Sequence, residues 1–384
     1  MAQNTTERVL FELIKAGLWE KGILLQSYGN LDYEEVMHLA EEQSVVGLVT
    51  AGLDHVQGVK VPQELLLQFI GQSLQLEQQN KDINDFVAKL ISKLRKEDVY
   101  VILVKGQGVA QCYEKPLWRA CGDVDLFLSE DNYAKAKNLL LPLATKVEQE
   151  YLGFKHLGMT IDGWVVELHG SLYVELSNKV NHVLDEIKND TFYGGNVRSW
   201  DNSGAQIFLL DKENDIFYVF AHFLNHFYVG GIGLRQICDW CRLLWTYRNS
   251  LDRELLEHRI KKAGLMVEWR AFGAFAVEYL GMPIEAMPLL DVRSQMEDVR
   301  SVIDKRLRRK AERIKDFIMM SGNFGHNRDT SYFSRYPFVI RKLCSMWMRA
   351  SDLFRHARIF PLDSLRFFPR IMWNGMRSAV RGEG

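Results

Sequence analysis

The chain has 384 residues, of which 47% are hydrophobic and 25% are charged, as expected for a soluble globular protein. The formal net charge of −1 gives no electrostatic bias toward nucleic acid, so we expect no sequence-specific nucleic-acid partner. Five cysteines do not indicate a disulfide framework, and neither a signal peptide nor a transmembrane run is evident. The sequence therefore predicts a reduced, cytoplasmic protein of two or three domains.

The first predicted region, residues 1–95, is helical. Apolar residues recur with the spacing of one buried helix face at Ile83, Phe86, Val87, Leu90 and Leu94. Pro62 suits the first turn of the helix that carries them. We expect a helical N-terminal region.

The second region, residues 96–210, reads as a small α/β domain. VYVILV (99–104) and GDVDLFLS (122–129) are β-rich apolar runs, and EDNYAKAKNLLLPLA (130–144) follows as a helix with acids in its first turn. The stretch 154–172 contains two strands joined by Asp-Gly, a strong hairpin signal. This order predicts a mixed sheet.

The remaining chain is predicted to be a C-terminal helical domain, residues 211–320, followed by a basic, aromatic-rich extension, residues 321–384. Residues 330–384 carry +7, which leaves −8 for the rest of the chain. This segment either packs on the acidic body or makes a peripheral membrane or partner contact. We favour packing because it contains many large apolar side chains, namely Trp347, Phe354, Phe360, Phe367 and Trp373.

Two aspartates, Asp123 and Asp125, stand one residue apart in the second predicted strand. Because side chains alternate along a strand, both carboxylates point to one side, while Val124 and Leu126 point to the other. Neighbouring carboxylates repel, and a divalent ion with oxygen ligands relieves the repulsion. We expect Mg²⁺, with Mn²⁺ as the alternative ion. A solvated strand end, or an ion pair with Arg119, is the competing interpretation.

A third acid, Glu167, lies in the apolar strand WVVELHG and shares a face with His169. A lone acid there is costly to bury unless it is paired or bound to metal. If this strand neighbours residues 122–128, three carboxylates converge. A simple pair between Glu167 and a nearby Lys or Arg is the alternative. His169 either orients a phosphate or Glu167, or it is a satisfied core histidine.

The turn VKGQG, which leads from a strand into a helix, supplies candidate phosphate contacts. Lys105 offers a counter-charge, and the backbone around Gly106 and Gln107 allows close approach of an anion. The alternative is that Lys105 faces solvent. Arg119 either contacts a triphosphate or screens the carboxylates.

Two polar pairs in the C-terminal helices are weaker candidates for a substrate cleft. His222 and His226 share one helix face, but Phe223 stands where a zinc protease has its catalytic Glu, so packing or substrate contact is favoured over zinc. Arg235 and Asp239 form either an ion pair within their helix or a polar wall of the cleft.

An ordered set of these residues resembles the uncharacterised nucleotidyltransferase family of the polymerase-β superfamily. The resemblance spans roughly residues 35–330, and it depends on VKGQGVAQCYEKPLWRACGDVDLFL and VVELHGSL. The matching residues are Lys105, Gly106, Tyr113, Pro116, Arg119, Gly122, Asp123, Asp125, Glu167 and His169. Gln107 departs from the wider superfamily, in which Ser or Gly is common at this position.

The resemblance implies a mostly helical α+β fold, in which a small mixed-sheet nucleotidyltransferase domain is flanked by helical regions. It implies that Asp123 and Asp125 hold Mg²⁺ on an NTP, and that Glu167 completes the site and assists as a base. A nucleoside monophosphate would pass to an unknown hydroxyl of a small molecule or a protein, with release of pyrophosphate. The competing hypotheses are a degenerate, inactive member, a non-catalytic nucleotide-binding protein, and a partner in glycan or natural-product assembly.

Overall fold

A computed structural model describes residues 2–25, 31–57, 61–151, 153–290, 303–323 and 338–380. Long helices dominate both ends of the chain. The helices are α1 (Ala2–Trp19), α2 (Tyr33–Glu42), α3 (Val46–Leu53), α4 (Gln63–Lys96), α5 (Gly106–Ala110), α6 (Glu130–Leu140), α7 (Asn178–Phe192), α8 (Lys212–Val229), α9 (Leu234–Tyr247), α10 (Arg253–Ala263), α11 (Met266–Leu280), α12 (Lys305–Ser321), α13 (Phe338–Ile359) and α14 (Pro361–Val380).

The middle of the chain forms a seven-stranded mixed sheet, and β1 and β2 form a separate two-stranded parallel sheet. The strands are β1 (Ile23–Leu24), β2 (Val56–Gln57), β3 (Ile102–Val104), β4 (Asp123–Phe127), β5 (Lys146–Val147), β6 (His156–Ile161), β7 (Trp164–His169), β8 (Val197–Asn202) and β9 (Ala205–Leu210). The large sheet has the order β5-β6-β7-β4-β3-β9-β8. Strand β4 pairs antiparallel with β3 and parallel with β7.

The two faces of this sheet join different hydrophobic layers. Val124 and Leu126 of β4 pack with the second half of α4 and with α6. Phe127, on the opposite face, packs with α7 and α8 in the larger core, which also contains α1 and α11. The alternation expected for β4 is therefore confirmed, and the face that carries Asp123 and Asp125 is turned toward the C-terminal helices.

Several predicted helices and strands are confirmed, and nearby residues explain where they begin or turn. Pro62 precedes the first residue of α4 and serves as its N-cap residue. The Oγ of Ser129 accepts a hydrogen bond from the backbone N–H of Asn132 at the start of α6. Asp162 and Gly163, both with positive φ, connect β6 to β7, which pair antiparallel.

The prediction missed the hairpin of β8 and β9. These strands pair antiparallel around Ser203 and Gly204, both of which have positive φ. Strand β9 then adds parallel to β3 and extends the sheet on the side away from β7. The mostly helical α+β class is confirmed, with a mixed sheet and flanking helices, while the domain boundaries stay predictions. Among the described helices, none has the length and apolar character needed to cross a bilayer.

The C-terminal extension is only half enclosed by the body. Phe360 and Phe367 are fully buried, and their rings lie beside Tyr228 of α8. Trp347 and Trp373 remain 77% and 64% exposed, so the expectation that all the large apolar side chains of this segment pack on the body is wrong. The helices α13 and α14 dock through one face and expose the other. Residues 324–337 and 381–384 of the extension lie outside the described residues.

We expect that truncation after Asn323 destabilises the body. The truncation uncovers Phe227, Tyr228 and Phe317, whose rings now contact His356 of α13 or Phe360. Loss of buried aromatic contacts costs about 2 kcal/mol for each large side chain, so the total should reach several times that figure. Thermal unfolding should show early melting or aggregation.

The matched control for this truncation is the full-length chain with Trp347→Ser. Trp347 is exposed, so the control should melt like the wild type. A truncated protein that is soluble and melts at the wild-type temperature would contradict the docking of α13 and α14 on the body.

Candidate active site

The pairing of β4 with β7 brings the three predicted carboxylates together. In the register of this parallel pair, Asp125 lies opposite Glu167, and Asp123 lies opposite Val165. All these side chains point to the same face of the sheet because directly opposite residues share a face. Asp125 is 2% exposed, whereas Asp123 and Glu167 are half-buried. The predicted neighbourhood of the two strands is thus confirmed.

A sharp turn after β3 places Lys105 against this face. Lys105 has φ 58° and ψ −145°, a backbone conformation that costs a non-glycine residue about 1–3 kcal/mol. Gly106 follows with φ 42°, and a Cβ there would lie 3.3 Å from the Sγ of Cys121. The Nζ of Lys105 lies 2.7 Å from Oδ1 of Asp125. Lys105 is therefore a largely buried partner of the carboxylates, and the interpretation as a solvent-facing residue is wrong.

Alternating charges and hydrogen bonds connect five side chains in a row. The Nε2 of His169 lies 2.8 Å from Oδ1 of Asp125 and 3.4 Å from Oε2 of Glu167. The Nε2 of His156 lies 3.2 Å from the same Oε2. The row therefore runs from Lys105 through Asp125, His169 and Glu167 to His156. In the absence of other ligands, these contacts offset the repulsion among the carboxylates.

The surroundings shift the ionisation of these groups in different directions. Burial raises the pKa of Asp123, and the neighbouring charge of Asp125 raises it further. Burial opposes ionisation of Glu167, yet hydrogen bonds from His156 and His169 hold its pKa far below the usual range. Burial likewise opposes protonation of His169, but its bonds to Asp125 and Glu167 raise its pKa. Among the residues that the structure describes, no Lys, Arg or His forms an ion pair with Asp123.

The donor set suits a divalent cation. Asp123 and Asp125 offer carboxylate oxygens on one sheet face, and Mg²⁺ prefers such oxygen ligands together with substrate phosphates. Within the described residues, His156, Glu167 and His169 also form a group whose ligand atoms lie within 4.8 Å of one another. The residues present therefore fit the metal that the resemblance implies.

Arg119 does not face the carboxylates. Its Nε and Nη2 each donate to a different oxygen of Asp239 at 2.7 Å, and its Nη1 donates to the backbone oxygen of Ala120. The hydroxyl of Tyr113 donates to Oδ1 of Asp239 at 2.8 Å. Arg119 and Asp239 are both buried. The structure therefore gives this pair a positioning role, in which it joins the segment before β4 to α9, and corrects the assignment of Arg119 to a phosphate.

The side chain of Gln107 has a structural partner. Its side chain is buried, and its Nε2 donates to the side-chain oxygen of Asn80 in α4 at 2.6 Å. Asn80 in turn donates to the backbone oxygens of Leu117 and Arg119. The helix that begins at Gly106 spans only five residues, so its N-terminus supplies little of the dipole that the sequence suggested. The side chain of Gln107 therefore anchors the turn, while the approach of an anion to the backbone around Gly106 and Gln107 stays a prediction.

Helix α8 carries a polar row that acts on the same site. Tyr218, His222 and His226 follow each other at intervals of four residues, and the two Nε2 atoms of the histidines lie 3.0 Å apart. Burial and the charge of Lys105 lower the pKa of both, that of His226 to about 4. Both imidazoles are therefore neutral at pH 7. Their placement beside Lys105 keeps the expectation of a substrate cleft open.

Arg235 approaches the site from α9. Its Nη1 donates to the backbone oxygen of Ala120 at 2.6 Å, and its charge partly opposes the rise that burial and Asp125 cause in the pKa of Asp123. Asp239 is engaged by Arg119 from outside the helix, so the interpretation of Arg235 and Asp239 as an intrahelical ion pair is wrong. Arg235 remains a candidate for the wall of the cleft.

Sequence reasoning missed His156 and Tyr218. The Asp-Gly turn sets the register of the β6–β7 hairpin, in which His156 lies directly opposite His169. That register could have been counted outward from the turn. Tyr218 precedes His222 by one helical turn, and the same spacing that singled out His222 and His226 extends to it.

The model of one protein family, described as uncharacterised nucleotidyltransferase, matches residues 29–281. This range contains the whole sheet, α4 and the helices that cover the carboxylates. No curated protein and no solved structure matches the chain significantly.

Proposed function

Because the chain belongs to the uncharacterised nucleotidyltransferase family, we propose that it is a metal-dependent enzyme that transfers a nucleoside monophosphate from an NTP to a hydroxyl acceptor. The observation that supports this proposal most strongly is the placement of Asp123, Asp125 and Glu167. The three acids lie on two adjacent strands and share one sheet face. A structural role would give each acid a cationic partner, and Asp123 has none within hydrogen-bonding distance among the described residues.

Asp123 and Asp125 would hold Mg²⁺. When bound there, the ion neutralises charge on the triphosphate and on the oxygens that enter and leave the α-phosphate. The Nζ of Lys105 lies 2.7 Å from Oδ1 of Asp125, and we propose that it also meets a phosphate oxygen. In the reaction, the acceptor oxygen forms a bond to the α-phosphorus, the bond to the bridging oxygen breaks, pyrophosphate leaves and the hydroxyl proton is released.

Glu167 suits metal binding better than proton transfer. Its low pKa makes the carboxylate a weak base, because a general base works best with a pKa near the operating pH. We therefore propose that Glu167 orients the metal and the acceptor hydroxyl, while the proton passes to water or another base. The assistance as a base that the resemblance implies for Glu167 is therefore secondary in this proposal.

The row of Tyr218, His222 and His226 is proposed to border the acceptor side. Neutral imidazoles can donate or accept a hydrogen bond, and the burial of this row favours a defined contact over a solvated one. The acceptor is a hydroxyl of a small molecule or a protein. Its partner in the reaction is an NTP.

We expect that nucleotide binding requires a divalent metal. Among the described residues, Lys105 is the only lysine or arginine within hydrogen-bonding distance of Asp123, Asp125 or Glu167. One lysine cannot neutralise a triphosphate. Calorimetry with ATP should show at least tenfold tighter binding with Mg²⁺ than with EDTA. The variant Asp131→Asn, which changes an exposed acid at the start of α6, is the matched control. Equal affinity in EDTA would contradict the proposed metal site.

A further inference from the structure

One side of the carboxylate site contains nitrogen ligands that Mg²⁺ does not require. His156 and His169 lie opposite each other on β6 and β7, and their rings stack with centroids 4.7 Å apart. Both Nε2 atoms face Oε2 of Glu167, at 3.2 and 3.4 Å. The three ligand atoms lie within 4.8 Å of one another. This arrangement of two imidazoles and a carboxylate is a familiar ligand set for transition metals.

We propose that His156, Glu167 and His169 bind a first-row transition-metal dication of the Zn²⁺ type, beside the Mg²⁺ held by Asp123 and Asp125. Imidazole nitrogen is a softer donor than carboxylate or water, so this set selects Zn²⁺ over Mg²⁺. The proposal rests on the proposed function in one respect, because the Mg²⁺ at Asp123 and Asp125 is taken from it. The new element is a different ion on the Glu167 side of the same site. It adds His156 to the site, which the sequence motif does not contain.

The distances agree with a common ion. A tetrahedral Zn²⁺ with bonds of about 2.0–2.1 Å separates its ligand atoms by about 3.3 Å. The two contacts of Oε2 with the histidine nitrogens are 3.2 and 3.4 Å. Each nitrogen lone pair lies in its own ring plane, so the stacked rings must open slightly for both to reach one ion. The side chain of His156 is 30% exposed and has room to turn.

Binding exchanges hydrogen bonds for metal bonds. The Nε2 atom of each histidine now contacts the carboxylate of Glu167 or Asp125, and coordination at that nitrogen requires the tautomer whose proton lies on Nδ1. The competing explanation is that both histidines only hold Glu167 in place through hydrogen bonds.

The test measures metal binding to the protein in the absence of nucleotide. Apo protein is titrated with Co²⁺, which reports nitrogen ligands and low coordination number by its visible absorption, and with Zn²⁺ in calorimetry. We expect one equivalent to bind, and the variant His156→Gln to weaken binding by more than ~100-fold, beyond the effect typical of outer-shell changes. His182→Gln is the matched control, because His182 also lies 3.3 Å from a glutamate, Glu186, but belongs to no three-residue ligand group within the described part of the chain.

The outcomes separate this proposal from the proposed function. Wild-type protein that binds Co²⁺ and Zn²⁺ no better than His156→Gln would overturn the proposal, whatever the NTP turnover. Tight binding that persists in Asp123→Asn but is lost in Glu167→Gln would support it. A protein that binds Zn²⁺ in this way but releases no pyrophosphate from any NTP would leave the metal site standing and overturn the proposed function alone.

A second observation, independent of the first, concerns the outer face of α13 and α14. Six large apolar side chains are between 42% and 79% exposed there, namely Ile340, Trp347, Phe354, Leu362, Leu365 and Trp373. The three on α13 are spaced by seven residues, so they form one row along the helix. The opposite faces, with His356, Phe360 and Phe367, are buried on the body.

We infer that this outer face lies on an anionic membrane surface. Arg355 and Arg358 are exposed on α13, and residues 330–384 carry +7. Basic amphipathic helices with Trp, Phe and Leu bind at the headgroup level of anionic bilayers. A symmetric dimer through this face would oppose two segments of like charge, which disfavours a second copy of the chain as the occupant.

Vesicle sedimentation tests this inference. The full chain should sediment with vesicles that contain about a third phosphatidylserine and should stay in the supernatant with phosphatidylcholine alone or in high salt. The variant Trp347→Ser/Phe354→Ser should lose at least tenfold in binding, whereas Tyr193→Ser, which changes another exposed aromatic residue, should not. Absence of binding to anionic vesicles, or binding equal in the double variant, would overturn the inference and point to a protein partner.

Discussion

Replacement of Asp125 by Asn, or of Asp123 by Asn, is expected to reduce NTP turnover by roughly 10³-fold or more, because each variant removes a charged ligand from the metal. The two variants should differ in stability. Asp123 is destabilised by burial and by Asp125, so Asp123→Asn should melt at or above the wild-type temperature. Asp125→Asn removes the partner of Lys105 and His169 and should melt lower.

Pyrophosphate release and thermal unfolding, measured on the same preparations, check both halves of this expectation. Asp131→Asn serves again as the control, since it removes an exposed acid from the adjacent helix. Near-wild-type turnover by either site variant would mean that the metal is held elsewhere. A higher melting temperature for Asp125→Asn than for Asp123→Asn would contradict the charge pairing described for Lys105.

Among single substitutions, the largest effect on stability is expected at Asp239. Its carboxylate accepts two hydrogen bonds from Arg119 and one from Tyr113, and Arg119 and Asp239 are buried. Asp239→Asn leaves the guanidinium of Arg119 buried without its counter-charge, which typically costs 3–5 kcal/mol, so we expect a loss of about that size. Denaturant unfolding measures it directly.

A second ion pair supplies the control for Asp239. Lys115 and Asp54 lie 2.7 Å apart, but their side chains are 38% and 60% exposed. Solvent screens such a pair, so Asp54→Asn should change stability little. An Asp239→Asn variant no less stable than Asp54→Asn would show that Arg119 has another partner in solution.

Local pattern predicted the strands and the carboxylates, because both depend on a few neighbouring residues. The alternation around Asp123 and Asp125 decides which side chains share a face, and the Asp-Gly turn decides how β6 pairs with β7. These two features need no knowledge of distant contacts. The position of Glu167 beside Asp125 does need it, because it depends on the pairing of β7 with β4, which the sequence left as a condition.

Side-chain contacts between residues far apart in the sequence could not be predicted from local pattern. Arg119 precedes Asp123 by four residues and was expected to contact a triphosphate or to screen the carboxylates, yet its partner Asp239 lies 120 residues away. Gln107 sits in the motif but bonds to Asn80 in α4. The exposed row on α13 was expected to be buried, because composition alone does not say which face of an amphipathic helix finds a surface to pack on.

The central claim is that Asp123, Asp125 and Glu167 hold metal for transfer of a nucleoside monophosphate. The most direct measurement incubates the purified protein with each of the four NTPs, labelled at the α-phosphate, together with Mg²⁺ and a cell extract that supplies acceptors. We predict that one NTP yields pyrophosphate and an equal amount of labelled product, and that EDTA or Asp125→Asn abolishes both. Pyrophosphate release no higher than that of Asp125→Asn with all four NTPs, in Mg²⁺ and in Mn²⁺, would contradict the claim and favour a non-catalytic nucleotide-binding protein.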